Sequence, residues 1–185
     1  MNGNREKDVT RSEIKAEGLL TAQGVRISEK KNVDELSTRG YGTVENDEFS
    51  LAFYEALYLL DKGLLEVKDE KNAKVDFQRL LQFYENFDES AWVKYLTYRD
   101  LRSRGYVVRE GFGSGVDFRV YDRGEYGKDT AKHLVLSVQE GKPITVENLT
   151  NVLKQCQSLK KELILAAMNR RGEIVYYSVS QLTLK

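Results

Sequence analysis

Cysteine and histidine are almost missing from this sequence of 185 residues, which contains one Cys and one His. A tetrahedral zinc site draws on several Cys or His ligands, and an internal disulfide needs two Cys, so the composition argues against both. Cys156 falls on the apolar stripe of a predicted helix, and we expect it in the core. His133 stands beside an apolar run, where a packed or surface role is the simpler interpretation.

Net charge and long apolar runs are missing as well. Lys and Arg (29) balance Asp and Glu (29), so no overall field attracts a polyanion, and a nucleic-acid site needs basic groups that are gathered locally. No apolar run approaches the roughly 20 residues needed to cross a bilayer, and residues 1–8 are polar rather than signal-like. We expect a soluble, intracellular, cytoplasmic protein without a membrane partner.

The chain is organised around residues 105–124, GYVVREGFGSGVDFRVYDRG. Two runs with strand character, 106–109 and 116–121, flank a glycine-rich connection whose backbone is free to take positive φ, so the stretch predicts a hairpin. Strand alternation predicts that one side of the second run faces the core and that the other side carries polar groups. The predicted core residues are Val116, Phe118 and Val120, and the polar ones are Asp117, Arg119 and Tyr121.

Apolar periodicity predicts mostly helices before Gly105 and mostly strands after it, with Asn32 and Ser50 as helix caps. The predicted fold class is α+β with two small domains, residues 1–104 and 105–185, which pack together because no Pro- or Ser-rich linker separates them. The predicted elements are a small antiparallel sheet over 12–27, helices over 33–39, 51–63, 77–84, 92–105 and 146–157, and strands over 64–67, 106–109, 116–121, 134–138, 163–168 and 174–179.

Tyr121 ends a predicted strand and is followed by a long hydrophilic loop, the kind of segment on which functional groups concentrate when a rigid sheet positions them. Lys160 and Lys161 come directly before the strand predicted at 163–168, so the spacing permits a Lys to approach Tyr121 at the mouth of one sheet. A nearby ammonium lowers the pKa of a phenol, ordinarily about 10, and stabilises negative charge on a phosphate in a transition state. A rim Tyr and a solvated Lys pair are the simpler interpretation of the same residues.

A competing hypothesis is a magnesium-dependent nuclease. Asp117 on one predicted strand, with Glu140 and Lys142 after the next, follows the spacing of nucleases that hold Mg²⁺ between carboxylates beside a Lys. The simpler interpretation is that residues 140–143 form an ordinary turn.

The stretch 105–124 resembles the hairpin of the archaeal tRNA-intron splicing endonucleases. Residues 39–67 are similar to the amino-terminal domain of that family, 94–108 (KYLTYRDLRSRGYVV) to its domain junction, and 158–177 (SLKKELILAAMNRRGEIVYY) to its carboxy-terminal strands. The resemblance covers nearly the whole chain and implies a restriction-endonuclease-like carboxy-terminal domain.

The resemblance implies an endoribonuclease that needs no metal or cofactor and cuts pre-tRNA at a bulge-helix-bulge. The ribose 2′-hydroxyl attacks the adjacent phosphate, which leaves a 2′,3′-cyclic phosphate and a 5′-hydroxyl. In the family a Tyr is the proposed general base and a Lys the stabiliser of the transition-state charge. They fall here on Tyr121 in DFRVYDRG and on Lys161 in KKELIL.

The general acid of the family, a His, does not fall on a His in this chain. Its position, counted back four residues from Leu134, is Thr130, whose hydroxyl is too weak an acid to protonate a leaving oxygen at neutral pH. Two alternatives follow: His133 substitutes and the chain is catalytic, or the site is incomplete and the chain is a structural subunit. A family Arg that stacks on a bulged base falls on Lys154, which lacks the planar surface for stacking.

Assembly is also implied by the resemblance, because family members form four-subunit assemblies, some of which pair a catalytic with a non-catalytic chain. They associate through late strands and an acidic loop, in which Glu140 is the acid here. We therefore expect a homotetramer, or a heterotetramer with a paralogous subunit, since an exposed apolar tail is a liability on a monomer. The tail residues are Ile174, Val175, Val179, Leu182 and Leu184.

Overall fold

The computed structural model describes residues 15–112, 115–128 and 130–182, and within them it contains two sheets and five helices, which confirms the predicted α+β class. No helix in these ranges combines the length and the apolar content that crossing a membrane requires. Leu184 of the predicted apolar tail lies outside the described residues. The elements are β1 Ala16–Thr21, β2 Gly24–Ile27, α1 Lys30–Thr38, β3 Thr43–Glu45, β4 Glu48–Leu51, α2 Phe53–Asp61, β5 Leu65–Lys68, β6 Lys74–Val75, α3 Phe77–Glu85, α4 Ala91–Ser103, β7 Val107–Glu110, β8 Phe118–Tyr121, β9 His133–Gln139, α5 Val146–Ser158, β10 Glu162–Met168 and β11 Ile174–Val179.

The first sheet has the strand order β3-β4-β2-β1-β5-β6. β1 and β2 form the predicted antiparallel pair, and β3 and β4 form a second hairpin that the sequence analysis missed. Asn46 and Asp47 connect β3 to β4, and both have positive φ, 50° and 63°, as a two-residue type I′ turn requires.

Both predicted helix caps are wrong. Asn32 lies buried inside α1, where its amide donates to Glu29 Oε2 at 2.7 Å. Ser50 belongs to β4, and α2 begins after Ala52, whose N–H donates to Glu55 Oε2 at 3.0 Å. The carboxylate of Glu55 thus accepts a hydrogen bond at the start of α2, where the sequence analysis expected the Ser50 hydroxyl to cap the helix.

The second sheet has the order β11-β10-β9-β8-β7, and it contains all five strands predicted after Gly105. β9 and β10 run parallel, while the other neighbouring strands are antiparallel. One face packs against α4 in a large core that extends into the first half of the chain. The other face packs against α5 in a smaller core that contains Cys156, buried as predicted.

Val116 does not share a face with Phe118 and Val120, contrary to the prediction. Phe118 and Val120 belong to the core beneath α4, whereas Val116 packs with the α5 core. β8 begins only at Phe118, which pairs with Val135, and the preceding Asp117 N–H also bonds Val135 O at 2.8 Å. Two successive residues therefore lie opposite one, as in a β-bulge, and the alternation of faces breaks at that point.

The two halves of the chain share a core. The ring of Tyr54 on α2 lies 4.9 Å from Tyr98 on α4 and 5.0 Å from Phe118 on β8, measured between ring centroids. α4 thus packs against both halves, and the domain boundary placed at Gly105 stays a prediction.

A buried ion pair also joins the halves. Arg109 on β7 donates to Gly40 O at 3.0 Å and to Gly42 O at 2.5 Å, and its guanidinium lies 3.5 Å from Glu55 Oε1. Glu55 accepts in addition from the Gly42 and Ala52 N–H groups. Burial raises the pKa of Glu55, although Arg109 and these N–H groups act in the opposite direction.

Candidate active site

Tyr121, His133 and Lys161 lie at one end of the second sheet. Tyr121 is the last residue of β8, His133 is the first residue of β9, and Lys161 directly precedes β10. Because β8 is antiparallel to β9 and β9 is parallel to β10, these positions fall on neighbouring strands at the same end. The fold therefore brings the predicted site residues into one region of the molecule.

The two faces of the sheet separate His133 from the other two residues. His133 pairs with Val120 on β8 and with Glu162 on β10, and residues directly opposite each other project to the same face. That face carries α4, because Val120 packs in its core. Tyr121 directly follows Val120, and Lys161 directly precedes Glu162. Since neighbouring residues of a strand alternate between faces, Tyr121 and Lys161 lie on the opposite face.

Lys161 contacts Thr130, on the loop between β8 and β9. Its Nζ donates to Thr130 Oγ1 at 2.8 Å. Both residues line a depression of about 170 Å³ that also includes Asp122, the neighbour of Tyr121. The ammonium is thereby positioned at the loop that follows the tyrosine.

The position of Lys161 follows from the way α5 ends. Lys160 has a left-handed φ of 56°. Its N–H bonds Gln157 O at 2.9 Å, and the Lys161 N–H bonds Cys156 O at 2.9 Å. These two hydrogen bonds form a Schellman motif, the helix ending in which the N–H of a left-handed residue and the N–H of the residue after it both bond carbonyl oxygens of the last turn.

The left-handed residue of this motif is normally a glycine, so Lys160→Gly should stabilise the protein. We expect a gain of about 0.5–1 kcal/mol in the free energy of unfolding, because the variant removes the strain of a side chain at positive φ. Denaturant unfolding would measure it. Lys154→Gly, at an exposed position inside α5, is the matched control and should lose about 1 kcal/mol; equal losses in both variants would contradict the interpretation.

The phenol of Tyr121 is supported by a second tyrosine. Its ring lies edge-on to Tyr126 with 5.2 Å between centroids. Gly40 adjoins Tyr126, since a side chain at this glycine would meet the Tyr126 ring at 3.3 Å. Gly40 also has a φ of 74°, so a larger residue there would be strained and would displace the ring that contacts Tyr121.

The two carboxylates of the magnesium hypothesis, Asp117 and Glu140, are engaged in other contacts. Asp117 Oδ1 lies 3.0 Å from Lys94 Nζ, and Asp117 Oδ2 accepts from the Ser137 N–H at 2.6 Å. Glu140 lies 3.7 Å from the guanidinium of Arg170 across the neighbouring turn. In the part of the chain that the structure describes, no three His, Cys, Asp or Glu side chains are grouped so that they could hold a metal ion.

Sequence reasoning missed the ion cluster around Lys94. This ammonium bridges Asp117 of the hairpin and Asp88 of the loop before α4, at 3.0 and 2.7 Å. Burial opposes the charge on Lys94, but Asp117 and Asp88 outweigh it and raise its pKa. No local pattern could have indicated the cluster, because its members are polar residues on separate elements that only the packing of α4 brings together.

The fold and the site define a class of protein: a two-part α+β chain with a phenol and an ammonium at one end of its second sheet. Comparison with family models assigns the class. The model for the tRNA intron endonuclease N-terminal domain matches residues 16–81, and the model for the catalytic C-terminal domain matches residues 91–176. The chain belongs to the tRNA intron endonuclease family.

Curated relatives agree with this assignment. The tRNA-splicing endonuclease of Methanococcus maripaludis is 33% identical over 165 residues, which cover 89% of this chain and 93% of the relative. The enzyme of Pyrococcus furiosus is 32% identical, with 88% of this chain and 94% of the relative covered. That of Methanothermobacter thermautotrophicus is 31% identical, with 90% and 97% covered. The resemblance deduced from the sequence is thereby confirmed.

Proposed function

We propose that this chain is a tRNA-splicing endonuclease subunit that cleaves intron-containing pre-tRNA at its bulge-helix-bulge junctions without a metal or cofactor. The observation that carries the proposal is the position of Tyr121 and Lys161, on one face and at one end of the second sheet. Family membership over both halves of the chain supports the same substrate.

Each of the two side chains has a defined part in the reaction. The phenolic oxygen of Tyr121 takes the proton of the ribose 2′-hydroxyl, whose oxygen attacks the adjacent phosphorus. The bond from phosphorus to the 5′-oxygen breaks, which leaves a 2′,3′-cyclic phosphate, and the departing 5′-oxygen takes up a proton from a donor or from water to become the 5′-hydroxyl. The ammonium of Lys161 stabilises the negative charge that grows on the phosphate oxygens in the transition state.

Protonation of the leaving 5′-oxygen is the weak point of the site. The role predicted for His133 as the proton donor stays a prediction, and its position on the α4 face argues against it. Thr130, bonded to Lys161 Nζ, is too weak an acid for the task. This observation favours a second candidate function, in which the chain is a structural subunit that holds pre-tRNA for a catalytic partner.

One experiment separates these functions. The purified chain is incubated with an intron-containing pre-tRNA in EDTA, alone and together with a paralogous subunit that does not cleave by itself. Cleavage by the chain alone, with 2′,3′-cyclic phosphate ends, supports the first function, and cleavage only by the mixture supports the second. An absolute requirement for Mg²⁺ would contradict both.

We further propose that the chain self-associates or pairs with a paralogous subunit through β11. This strand forms one edge of the second sheet, and Val175 and Tyr177 on it are 42% and 55% exposed. Light scattering at micromolar concentration should give a mass above that of a monomer, and Val175→Asp should lower it, because a charge would be buried at the contact. Val44→Asp, at an exposed position of the first sheet, should leave the mass unchanged; a monomer under all conditions would contradict the proposal.

A further inference from the structure

Gly40, in the first half of the chain, adjoins both side chains that flank Tyr121. A methyl group at Gly40 would meet Val107 Cγ1 at 2.6 Å and the Tyr126 ring at 3.3 Å. Val107 lies directly opposite Tyr121 on β7, and the Tyr126 ring lies edge-on to Tyr121. Side chains directly opposite each other on neighbouring strands are close enough to interact. The first half of the chain is therefore packed against two neighbours of the proposed general base.

Residues 39–42, called here the Gly40 segment, are held by two arginines of the second half of the chain. Arg102 on α4 donates to the first carbonyl oxygen of the segment at 3.0 Å, and its guanidinium lies 4.0 Å from the centre of the Tyr41 ring. Arg109 on β7 donates to two further carbonyl oxygens of the segment at 3.0 and 2.5 Å. Three of the four residues are buried. The backbone of the segment is thus fixed relative to the second sheet.

The end of α1 fixes the same backbone from the other side. Gly40 has a φ of 74°, its N–H bonds Ser37 O at 2.9 Å, and the Tyr41 N–H bonds Leu36 O at 3.0 Å. This is a Schellman ending with glycine at the left-handed position. Because the backbone is tied on both sides, a side chain added at Gly40 would displace its neighbours rather than the segment.

Tyr121 needs support of this kind because strand pairing holds it on one side only. It pairs with Val107 on β7, whereas the pairing of β8 with β9 ends at Val120. A general base must lie within about 2.6–3.2 Å of the oxygen whose proton it takes. A misplacement of about 1 Å in an active site can lower the rate about 10²-fold. The packing around the Tyr121 ring therefore bears directly on the proposed proton transfer.

We propose that the Gly40 segment is a positioning element for catalysis, which holds the phenol of Tyr121 in its reactive orientation through the side chains of Val107 and Tyr126. Gly40, Val107 and Tyr126 are positioning residues, since they contact Tyr121 or its neighbours and take no proton themselves. The first half of the chain thereby contributes to the chemistry of the second half. The inference rests on the proposed function, because it assumes that Tyr121 is the general base.

Gly63 provides a matched control for Gly40. It ends α2 in the same motif, with a φ of 70° and with hydrogen bonds from its own N–H to Leu60 O and from the Leu64 N–H to Leu59 O. Nothing lies within 4 Å of a methyl group added at Gly63. Alanine is strained by the left-handed backbone at either position. A difference between Gly40→Ala and Gly63→Ala therefore reports the contacts of Gly40 and not the strain.

The first test needs no RNA. In a proton–carbon NMR spectrum of the chain with labelled tyrosine rings, the Tyr121 signal is the one that Tyr121→Phe removes. An aromatic ring shifts the signals of the ring beside it, so Gly40→Ala should move the Tyr121 signal, whereas Gly63→Ala should leave it in place. A Tyr121 signal that stays in place in Gly40→Ala, or that moves equally in both variants, would overturn the inference.

The second test separates cleavage from binding, in the chain alone or in the mixed assembly that cleaves. Gly40→Ala and Tyr126→Leu should each lower the single-turnover rate at saturating pre-tRNA at least about tenfold, while the dissociation constant of pre-tRNA changes less than about twofold. Tyr126→Phe keeps the ring and should restore the rate of the unmodified chain, which Gly63→Ala should also retain. Denaturant unfolding identifies the variants that are folded under the assay conditions, and Tyr126→Leu decides if Gly40→Ala is not.

The outcomes distinguish the inference from the function on which it rests. Equal rate losses in Gly40→Ala and Gly63→Ala would assign the effect to lost stability, and weaker binding at an unchanged rate would assign the segment to RNA binding. Either result would overturn the inference and leave the proposed function standing. If the unmodified chain cleaves neither alone nor in a mixed assembly, the proposed function fails together with the catalytic role of the segment. The NMR spectra then show separately whether the segment holds the Tyr121 ring.

Discussion

Tyr121→Phe should lower the rate of pre-tRNA cleavage by about 10²- to 10⁴-fold, the range that general base catalysis contributes. The change removes one oxygen and keeps the ring that contacts Tyr126, so the fold should be unaffected. Single-turnover cleavage in EDTA measures the effect. If the chain cleaves only within a mixed assembly, the variant is tested there, and an unchanged rate would then assign cleavage to the partner.

Tyr126→Phe is the matched control for this variant. It also removes a phenolic oxygen from the same loop region, but from a residue that packs beside the site without a proposed part in proton transfer. Equal rates for Tyr121→Phe, Tyr126→Phe and the unmodified chain would contradict the assignment.

Lys161→Ala should reduce the rate of pre-tRNA cleavage by about 10²- to 10³-fold, as loss of a transition-state donor does.

Arg109→Ala should destabilise the protein by about 3–5 kcal/mol, because it leaves the carboxylate of Glu55 buried without its cation. It also removes the donors to Gly40 O and Gly42 O, two carbonyl groups of the first half of the chain. Denaturant unfolding measures the loss. Arg109→Lys should recover only part of it, since an ammonium lacks the fork that reaches both carbonyls.

The pH dependence gives this prediction a second test. Burial raises the pKa of Glu55, and Arg109 opposes that rise, so the pKa in the folded variant should lie still higher. A carboxyl whose pKa is higher in the folded than in the unfolded chain favours folding at low pH and opposes it as the pH rises through those values. The deficit of Arg109→Ala should therefore be smaller at about pH 5 than at about pH 8.

An exposed ion pair provides the control for the buried one. Arg39 is paired with Glu35 one turn away on α1, at 2.6 Å, and both side chains are partly exposed to solvent. Arg39→Ala should cost no more than about 0.5 kcal/mol. Similar losses for Arg39→Ala and Arg109→Ala would show that the buried pair is not a special contributor to stability.

The second sheet was largely predictable because its strands carry their own signals. Glycines flank the hairpin, the late strands are continuous apolar runs, and α5 repeats apolar residues three and four positions apart. The helix caps were not predictable in the same way. Asn32 and Ser50 are good caps in isolation, but the turn at Asn46 and Asp47 draws Ser50 into a strand, and Glu55 takes its place at the helix start.

The site was predictable in its position along the sheet and not in its faces. Tyr121 and Lys161 follow from strand ends, which the sequence marks. The face of His133 depends on the pairing of Val120 with His133, and this register is a property of two strands rather than of either one. A shift of one residue would move His133 to the other face, so no reading of the isolated segment 130–134 could decide it.

The Schellman ending of α5 makes the position of Lys161 depend on local helix stability. The Lys161 N–H is tied to Cys156 O, and α5 is anchored in the core mainly through two buried residues, Val152 and Cys156. If the last turn of α5 unwinds transiently, Lys161 loses its backbone tether while the sheet beneath remains folded. Amide hydrogen exchange at Lys160 and Lys161 would then report how often this end of α5 opens, independently of global unfolding.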